Sequence, residues 1–387
     1  MKLLIYSHFF APSVGGVETL VLSLARGLAG LRTTEGNPKF NVTVVTQTAA
    51  DRFEDSSLPF RVNRQPSLIH LWDLIHASDV VHVAGPALMP IILGLIARKP
   101  VVVEHHGFQT ICPNGQLLIE LAGSPCPGHF MAGRHGECLR CNSGQGWFAS
   151  RKLWLLTFMR RFFCKRVSAN IMPTAWLGSL VQLPRSAAIP HGLEVIGAPV
   201  AYAAAPAHQR VIAFQGRLVN TKGVGILFEA ARRLLEQNRA FELVIIGDGP
   251  ERAALEGLAQ AGLLAGHVRF TGRLTDAQLG AVLAEASVVV VPSLGGEVFG
   301  LVVAENMARG LPVVASDLGA FMELLGEGGV TFRTGDAAAL AAELARILDD
   351  PALGARLARL GRQRALEFFD FQRMLAAHAR VYEGARS

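Results

Sequence analysis

The chain has 387 residues, a formal net charge of +6, 50% hydrophobic residues and 18% charged residues. This composition excludes an intrinsically disordered chain, and the length predicts two domains of about 150–200 residues each. The basic residues are mostly arginine, which we interpret as a compositional preference and not as a nucleic-acid signature. No apolar run reaches the roughly 18 residues of a membrane span, and the start MKLLIYS predicts a strand and not a signal peptide, so we expect a cytoplasmic protein.

Apolar segments typical of buried strands alternate with helical patterns along the chain. The first series is KLLIYS, NVTVVTQ, DVVHVAG, PVVVEHH and ANIMPT, and the second runs from RVIAFQG through FELVIIG, VRFTG, SVVVVPS and LPVVASD to GVTF. This alternation predicts an α/β protein with parallel sheets covered on both faces. We predict two Rossmann-like domains, 1–198 and 206–369, whose sheets face each other across a cleft, with an Ala/Pro-rich linker at 197–209. An amphipathic helix at about 370–387 is predicted to pack back on the first domain.

Residues 107–147 interrupt the alternation with a segment rich in Gly, Pro and Cys. It contains four of the five cysteines: Cys112, Cys126, Cys138 and Cys141. Because we expect a reducing compartment, a structural Zn²⁺ is favoured over disulfide bonds. Free thiols and an iron–sulfur cluster are the alternatives, with His129 or His135 as replacement ligands.

A basic and aromatic segment, RKLWLLTFMRRFFCKR, occupies residues 151–166. Arg and Lys interleaved with Trp154, Phe158, Phe162 and Phe163 are typical of a helix that lies on an anionic membrane surface. The alternative is a basic helix that is partly buried in the protein.

The segment FQGRLVNTKG (214–223) places two cations, Arg217 and Lys222, between a strand and a helix N-terminus. This position suits the binding of a diphosphate. In SVGGVE, Gly15 and Gly16 lead from the first strand to the first helix and allow a ligand to approach the backbone closely. The spaced triple-glycine fingerprint is missing from that segment, which disfavours a nicotinamide-dependent dehydrogenase.

Two glutamates surround the apolar run that follows SVVVVPS. Glu297 lies in the loop, and Glu305 lies on the helix after it. A carboxylate accepts hydrogen bonds from two vicinal hydroxyls, so the pair predicts a ligand with sugars on both sides of a diphosphate. Alternatively, Glu305 pairs only with Arg309 one turn further along the helix.

These motifs together resemble glycosyltransferase family 4, retaining enzymes of the GT-B fold. The similar segments are GRLVNTKG, IIGDGPE, VPSLGGEVFGLVVAENMARGLPVVAS and SVGGVE, and the glutamates match the family's E-x7-E motif. The resemblance implies that Arg217 and Lys222 bind the donor diphosphate, Glu305 the ribose and Glu297 the transferred sugar. It also implies further donor contacts from Gly15, Gly16, Arg273, Leu274, Phe299, Gly300 and Leu301.

The same family has a histidine before Gly or Asp at the end of a strand in the first domain, where it binds the sugar. VVVEHHGF offers His106 before Gly107, and we prefer it to His105, because adjacent strand side chains point to opposite faces. The alternative is a structural pair of histidines. IPHGLE departs from the family pattern, since His191 replaces an asparagine and Glu194 stands near the usual acid.

The resemblance implies a metal-independent hexosyltransferase with four catalytic residues: His106, Glu297, Arg217 and Lys222. Its donor would be a UDP- or GDP-linked sugar, and its acceptor a glycan or lipid-linked molecule in cell-surface polysaccharide or glycoconjugate synthesis. We expect it in the cytoplasm or at the inner face of the membrane, without a nucleic-acid partner. The alternatives are a catalytically inactive binding subunit and another nucleotide-sugar enzyme such as an epimerase.

Overall fold

The computed structural model describes residues 1–13, 15–51, 53–119, 122–194, 200, 202 and 210–386. Two compact units form among them. The first contains described residues of 1–116, 128–194 and 371–386, and the second contains those of 117–127 and 200–370. Apart from positions 200 and 202, the predicted linker at 197–209, with the predicted domain boundaries at 198 and 206, lies outside the described residues.

Fifteen strands form within the described ranges. They are β1 (Lys2–Ser7), β2 (Asn41–Thr46), β3 (Arg61–Arg64), β4 (Val80–Ala84), β5 (Val101–Glu104), β6 (Leu118–Ile119), β7 (Ser124–Pro125), β8 (Ala169–Met172), β9 (Ser186–Ala188), β10 (Val211–Gln215), β11 (Glu242–Ile246), β12 (Val268–Gly272), β13 (Val288–Val291), β14 (Val313–Ser316) and β15 (Val330–Phe332).

Fourteen α-helices accompany these strands in the same ranges. They are α1 (Gly16–Gly30), α2 (Leu68–Ala77), α3 (Leu88–Ile96), α4 (His135–Cys141), α5 (Trp147–Cys164), α6 (Ala175–Val181), α7 (Val224–Glu236), α8 (Arg252–Ala259), α9 (Asp276–Ala284), α10 (Leu301–Arg309), α11 (Gly319–Leu325), α12 (Ala337–Asp349), α13 (Pro351–Phe368) and α14 (Phe371–Arg386). None of these described helices is both long enough and apolar enough to cross a bilayer.

Each unit is built on a parallel sheet. The first has the strand order β3-β2-β1-β4-β5-β8-β9, and the second has the order β12-β11-β10-β13-β14-β15. Their central strands are buried along their whole length, as in the Val-rich β4 and β13. Continuous apolar strands are expected where helices cover both faces of a sheet.

Both sheets reverse their strand order at one point, between β1 and β4 in the first unit and between β10 and β13 in the second. The loops that follow the two strands at such a point diverge, which opens a crevice beyond their carboxyl ends. The glycines of SVGGVE follow β1, Arg217 and Lys222 follow β10, and Glu297 follows β13.

Helix α14 belongs to the first unit, where it packs on α1, β4 and β5. Its approach to α1 is close, because a Cβ atom at Gly27 would lie 2.6 Å from Cδ1 of Leu375. In the predicted insertion at 107–147, α4 and the antiparallel pair β6–β7 form regular structure that the sequence analysis did not anticipate. Residues 117–127 of that insertion group with the second unit, not with the first.

Candidate active site

The cation-bearing loop after β10 is held against the end of β13. Gly223, which precedes α7, adopts a positive φ of 68°, and a Cβ atom there would lie 2.0 Å from the carbonyl oxygen of Pro292. The carbonyl oxygen of Thr221 accepts a hydrogen bond from the backbone of Leu294 at 2.7 Å. The loop is therefore fixed where only glycine allows both the conformation and the close approach.

Lys222 and Glu297 meet directly across this junction. The Nζ atom of Lys222 donates to Oε1 of Glu297 in an ion pair, and Oγ of Ser293 donates to the same oxygen at 2.8 Å. The Glu297 side chain is 12% exposed and that of Lys222 is 30% exposed, so a ligand can still reach the ammonium. Arg217 lies on the same loop, is exposed, and makes no side-chain hydrogen bond or ion pair with any described residue.

Glu305 lies on the second turn of α10 and is mostly buried. Burial raises the pKa of its carboxyl, and the nearby charge of Arg309 opposes that rise only in part. The amide of Gln215 reaches Oε2 of Glu305 at 3.4 Å, and Asn306 in turn donates to the Gln215 oxygen at 3.0 Å. Gln215 ends β10, so this contact links that strand to α10, the helix that follows β13. Gln215 was not predicted as a site residue. The only feature of the sequence that could have indicated it is a polar residue at the end of an apolar strand, just before Gly216.

The N-terminus of α10 points its first backbone N–H groups away from the helix body, where they have no intrahelical partner. Gly300 precedes the helix with a φ of 112°, and a Cβ atom there would lie 2.5 Å from Cε1 of Phe321. Phe299 is buried, with its ring 5.4 Å from that of Phe369. Leu301 begins the helix. This geometry suits an anion or a sugar oxygen beside the backbone.

Arg273 and Leu274 follow β12, at the edge of the second sheet, two strands away from β10. Arg273 is exposed and Leu274 is half-buried. With about 4.8 Å between neighbouring strands, β12 and β10 lie roughly 10 Å apart. A ligand bound at the Lys222 loop would therefore have to be extended to reach Arg273 and Leu274.

In the first unit, Gly15 and Gly16 lie at the start of α1, directly beyond β1. A Cβ atom at Gly15 would lie 2.4 Å from Oε2 of Glu18, because that side chain folds back over the glycine. Gly15 is half-buried and Gly16 is exposed.

His105 and His106 diverge after β5. His105 is fully buried, bonds the side chain of Asn170 at 3.0 Å and has its pKa lowered to about 4 by burial. The His106 ring turns to the opposite side, with Nε2 3.8 Å from Oε2 of Glu104 and 6% of its side chain exposed. His105 is a structural residue, whereas the His106 side chain keeps a small exposed fraction.

Glu104 is a buried carboxylate that the sequence analysis did not identify. Four imidazoles surround it, those of His82, His106, His191 and His378. Burial alone would raise the pKa of Glu104, but the neighbouring His106 and His378 hold it well below its ordinary value. Burial lowers the pKa of His191 to about 3, so that ring is neutral beside the carboxylate. The sequence features that could have indicated this cluster are His82 and Glu104, each a polar residue in an otherwise apolar strand, VVHVA and VVVE.

The cysteine segment contains no disulfide bond among the described residues. Sγ of Cys112 donates to Oδ1 of Asn114 at 2.9 Å, and the amide of Asn114 faces Sγ of Cys141 at 3.8 Å. Cys138 shares α4 with Cys141, whereas Cys126 follows β7 in the segment that groups with the second unit. His129 is half-buried, and the ring of His135 packs 5.2 Å from that of Phe130.

The chain has recognisable relatives. Residues 203–364 match the family described as "Glycosyl transferases group 1". Phosphatidyl-myo-inositol mannosyltransferase from Mycobacterium leprae is 36% identical over 200 residues, which cover 50% of this chain and 52% of that protein. The chain spans about half the length of the curated relatives it matches.

Solved structures resemble the chain over nearly its whole length. Sucrose-phosphate synthase from Thermosynechococcus elongatus has a TM-score of 0.73 at 22% identity, covering 99% of this chain and 98% of that one. HepE from Anabaena in complex with UDP has a TM-score of 0.72 at 20% identity, covering 98% and 99%. The same protein has been solved with UDP-glucose, with a TM-score of 0.70, 19% identity and 98% coverage of both chains. These likenesses confirm the predicted α/β fold of the GT-B type.

Proposed function

We propose that this chain is a group 1 glycosyltransferase, because residues 203–364 match that family, and that it transfers a hexose from a nucleotide diphosphate sugar. The acceptor is a glycan or a lipid-linked molecule, and the anomeric configuration of the sugar is retained. One observation carries the proposal: the Lys222–Glu297 ion pair joins the two loops at which the second sheet reverses its strand order. A cation and a carboxylate so placed suit a diphosphate and the sugar attached to it.

Different side chains of the second unit bind different parts of the donor, according to their charge. Arg217 and Lys222 bind the diphosphate and stabilise the charge that develops on it as the sugar leaves. Glu297 accepts hydrogen bonds from the transferred sugar, and Glu305 accepts them from the ribose hydroxyls. The backbone at Phe299, Gly300 and Leu301 completes this pocket, while Arg273 and Leu274 contact the base.

The first unit contributes to the same reaction through its own strand ends. Gly15 and Gly16 leave backbone accessible to the donor, and His106 binds the transferred sugar. The transfer step uses no metal ion, because the two cations and the helix N-terminus supply the positive charge that the leaving diphosphate requires. We infer front-face attack, in which the bond from the acceptor oxygen to the anomeric carbon forms as the bond to the diphosphate oxygen breaks. The acceptor proton passes to the departing phosphate.

UDP is the nucleotide that we propose first, because a protein of the same fold has been solved with UDP and with UDP-glucose. GDP is the alternative. The name of the mannosyltransferase relative supports a hexose as the transferred group and a lipid-linked acceptor as one option.

Helix α5 supports a peripheral contact with a membrane. Several of its apolar side chains are exposed on one face: Phe148, Leu155, Phe158, Met159 and Phe162. Exposed basic residues accompany them, with the guanidinium of Arg151 3.9 Å from the Trp147 ring and that of Arg166 3.5 Å from the Phe162 ring. Apolar side chains flanked by cations match an anionic lipid surface. We propose that the enzyme meets its lipid-linked acceptor there, at the inner face of the membrane.

We propose Cys112, Cys126, Cys138 and Cys141 as a zinc-binding set, although no three of their sulfur atoms lie within 4.8 Å of one another in the described residues. Asn114 contacts both Cys112 and Cys141, which supports proximity of these two cysteines and not of the other two. A purified protein that holds neither zinc nor iron contradicts this proposal.

The central test is ligand binding followed by product analysis. Thermal unfolding is measured with UDP, GDP, ADP and NAD, and saturation at 100 times Kd stabilises by about 2.7 kcal/mol, a shift of roughly 5–10 °C. The reaction with the stabilising nucleotide's sugars is then followed by NMR, which reports the new glycosidic bond and its configuration. Stabilisation by NAD alone contradicts the proposal.

The same experiment separates the alternatives. An inactive binding subunit binds the nucleotide sugar but forms neither free nucleoside diphosphate nor a glycoside. An epimerase converts the donor into another nucleotide sugar and leaves the diphosphate bond intact.

A further inference from the structure

A buried cluster of titratable side chains in the first unit contains only one residue, His106, that has a part in the proposed transfer step. Its centre is Glu104, the last residue of β5. The pairing of His82 with Val102 in the neighbouring strand places His82 and Glu104 on the same face of the sheet. His106 lies two residues beyond the end of β5, His191 lies in the chain after β9, and His378 lies on α14. Three of these segments are far apart in sequence, so only the folded unit assembles the cluster.

The distances within the cluster are too long for good hydrogen bonds. Nε2 of His82, His378 and His106 lies 3.3, 3.5 and 3.8 Å from Oε2 of Glu104. Nδ1 of His191 lies 3.6 Å from Oε1. Neither carboxylate oxygen has a hydrogen-bond partner among the described residues, although the side chain is fully buried. A buried carboxylate without hydrogen bonds is costly, and such a group calls for an explanation.

The same distances fit ligands around one metal ion. Zinc bonds of 2.0–2.1 Å at tetrahedral angles place neighbouring ligand atoms about 3.3–3.4 Å apart. Ligand atoms of Glu104, His106 and His191 all lie within 4.8 Å of one another, and no other group of three or more candidate metal ligands does so in the described ranges. Carboxylate and imidazole are ligands that Zn²⁺ accepts in this combination.

His378 lies beside the same carboxylate, with Nε2 3.5 Å from Oε2 of Glu104. Its Nδ1 lies 2.9 Å from the carbonyl oxygen of Met374. A carbonyl oxygen only accepts hydrogen bonds, so Nδ1 carries a proton. This backbone contact fixes the orientation of the His378 ring beside the cluster.

We propose that Glu104, His106 and His191 bind one Zn²⁺ ion. The ion is structural, because Glu104 is only 1% exposed, and it joins the end of β5 to the chain after β9. It binds His106 through Nε2 and so fixes the orientation of the ring, whose Nδ1–H remains for the sugar that the proposed function assigns to this residue. The ion takes no part in the transfer step.

The test measures metal content and not activity, so its outcome is independent of the proposed function. Zinc is counted by mass spectrometry in the full chain purified from zinc-supplemented medium and dialysed against metal-free buffer. We expect Glu104→Gln, which preserves the side-chain volume, to lower the zinc content by one equivalent per chain. The matched control is His105→Gln, which changes the adjacent buried histidine that faces Asn170 and leaves the zinc content unchanged.

The double substitution Cys138→Ser/Cys141→Ser separates this site from the proposed cysteine site. We expect the double variant to keep the equivalent that Glu104→Gln loses. Its cobalt-substituted form should show visible d–d bands without the near-ultraviolet thiolate-to-cobalt charge-transfer band, and this spectrum decides the matter if Glu104→Gln fails to fold. The proposal is overturned if the wild-type chain retains no metal, or if the cysteine double variant loses all of it.

Discussion

The ammonium of Lys222 and the carboxylate of Glu297 form an ion pair between the loop after β10 and the loop after β13. The two residues are 75 positions apart in sequence, and each lies at the carboxyl end of a strand. In the ligand-free chain, Glu297 therefore balances the positive charge that the donor diphosphate would otherwise meet. The pair keeps the pocket preorganised, since neither charged side chain is left without a partner.

We expect Lys222→Ala to lower kcat/KM for transfer by about 10²–10³-fold, because the substitution removes a charge that stabilises the leaving diphosphate. It also leaves the carboxylate of Glu297 without its cation. The measurement is initial-rate kinetics with the nucleotide sugar identified by thermal unfolding. The control is Arg232→Ala, which removes an exposed cation that pairs with Glu229 and Glu236 on the helix surface. Equal activities of the two variants would argue against the assigned role of Lys222.

Glu297→Gln and Glu305→Gln should weaken binding of different parts of the donor. Glu305→Gln removes the acceptor of the ribose hydroxyls, so it should weaken free UDP and the nucleotide sugar equally, by about 1.5–3 kcal/mol or roughly 10–100-fold. Glu297→Gln should weaken the nucleotide sugar and leave UDP nearly unchanged. Calorimetric titration of each variant with UDP and with the nucleotide sugar gives the loss of affinity for each ligand. If the two variants lost affinity for UDP and for the nucleotide sugar in the same ratio, the assignment of Glu305 to the ribose and Glu297 to the transferred sugar would be wrong.

The stability of the ligand-free protein should depend on pH through Glu305. Burial raises the pKa of this carboxyl in the folded chain above its value in the unfolded chain, so folding binds a proton in the interval between the two values. The contribution of Glu305 to stability is therefore present below the unfolded pKa and is lost as pH rises through the folded pKa. We expect Glu305→Gln to be more stable than the wild-type chain at neutral pH, with a difference that vanishes in acid. Melting temperatures recorded across pH measure this, and a constant difference would contradict it.

Gly223 and Gly225 form a matched pair for testing the loop conformation. Gly223→Ala should destabilise the protein by at least about 2 kcal/mol, because the residue is left-handed and its new Cβ atom would meet the Pro292 carbonyl oxygen at 2.0 Å. Gly225 lies in the first turn of α7, and no atom lies within 4 Å of a Cβ atom built there. Gly225→Ala should therefore be neutral or stabilise by about 0.5 kcal/mol. Denaturant unfolding compares the two, and equal effects would show that the loop is not fixed as described.

The exposed face of α5 should bind vesicles that contain anionic lipid. Replacing Phe148, Leu155 and Phe162 by Ser should lower the partition coefficient by more than about tenfold, because these side chains supply the apolar area that enters the interface. Cosedimentation with liposomes measures it, with neutral liposomes and added salt as tests of the charge contribution. Leu258→Ser, at an exposed leucine of the second unit, is the control. Unchanged binding of the triple variant would exclude this helix as the contact.

The sequence predicted the positions of the candidate donor residues at strand ends, because each belongs to a short segment at a strand–helix junction. Arg217, Lys222 and Glu297 lie where a parallel sheet gathers its carboxyl ends, so local spacing was enough to bring them together. Gln215 was missed, since its contact with Glu305 depends on the pairing of strands that are distant in the chain.

The Glu104 cluster was beyond local patterns for a related reason. Its histidines come from four separate segments, and the amphipathic pattern that predicts packing of α14 on the first unit does not indicate that His378 faces Glu104. The only signal in the sequence was a polar side chain within an apolar strand. Such a signal points to one member of the cluster but does not identify the other members. The pair β6–β7 and helix α4 were missed because two-residue strands and a two-turn helix are too short to produce a period.

Helix α14 also dictates an order of events during synthesis. The ribosome makes residues 195–370, with nearly all of the second unit, before it makes the helix that closes the first. Until then the emerging chain holds Glu104 and His82 without His378 and Tyr382, whose hydroxyl lies 3.0 Å from Nδ1 of His82. Although domains generally fold in the order in which they are translated, the unit that starts this chain is the one that finishes last.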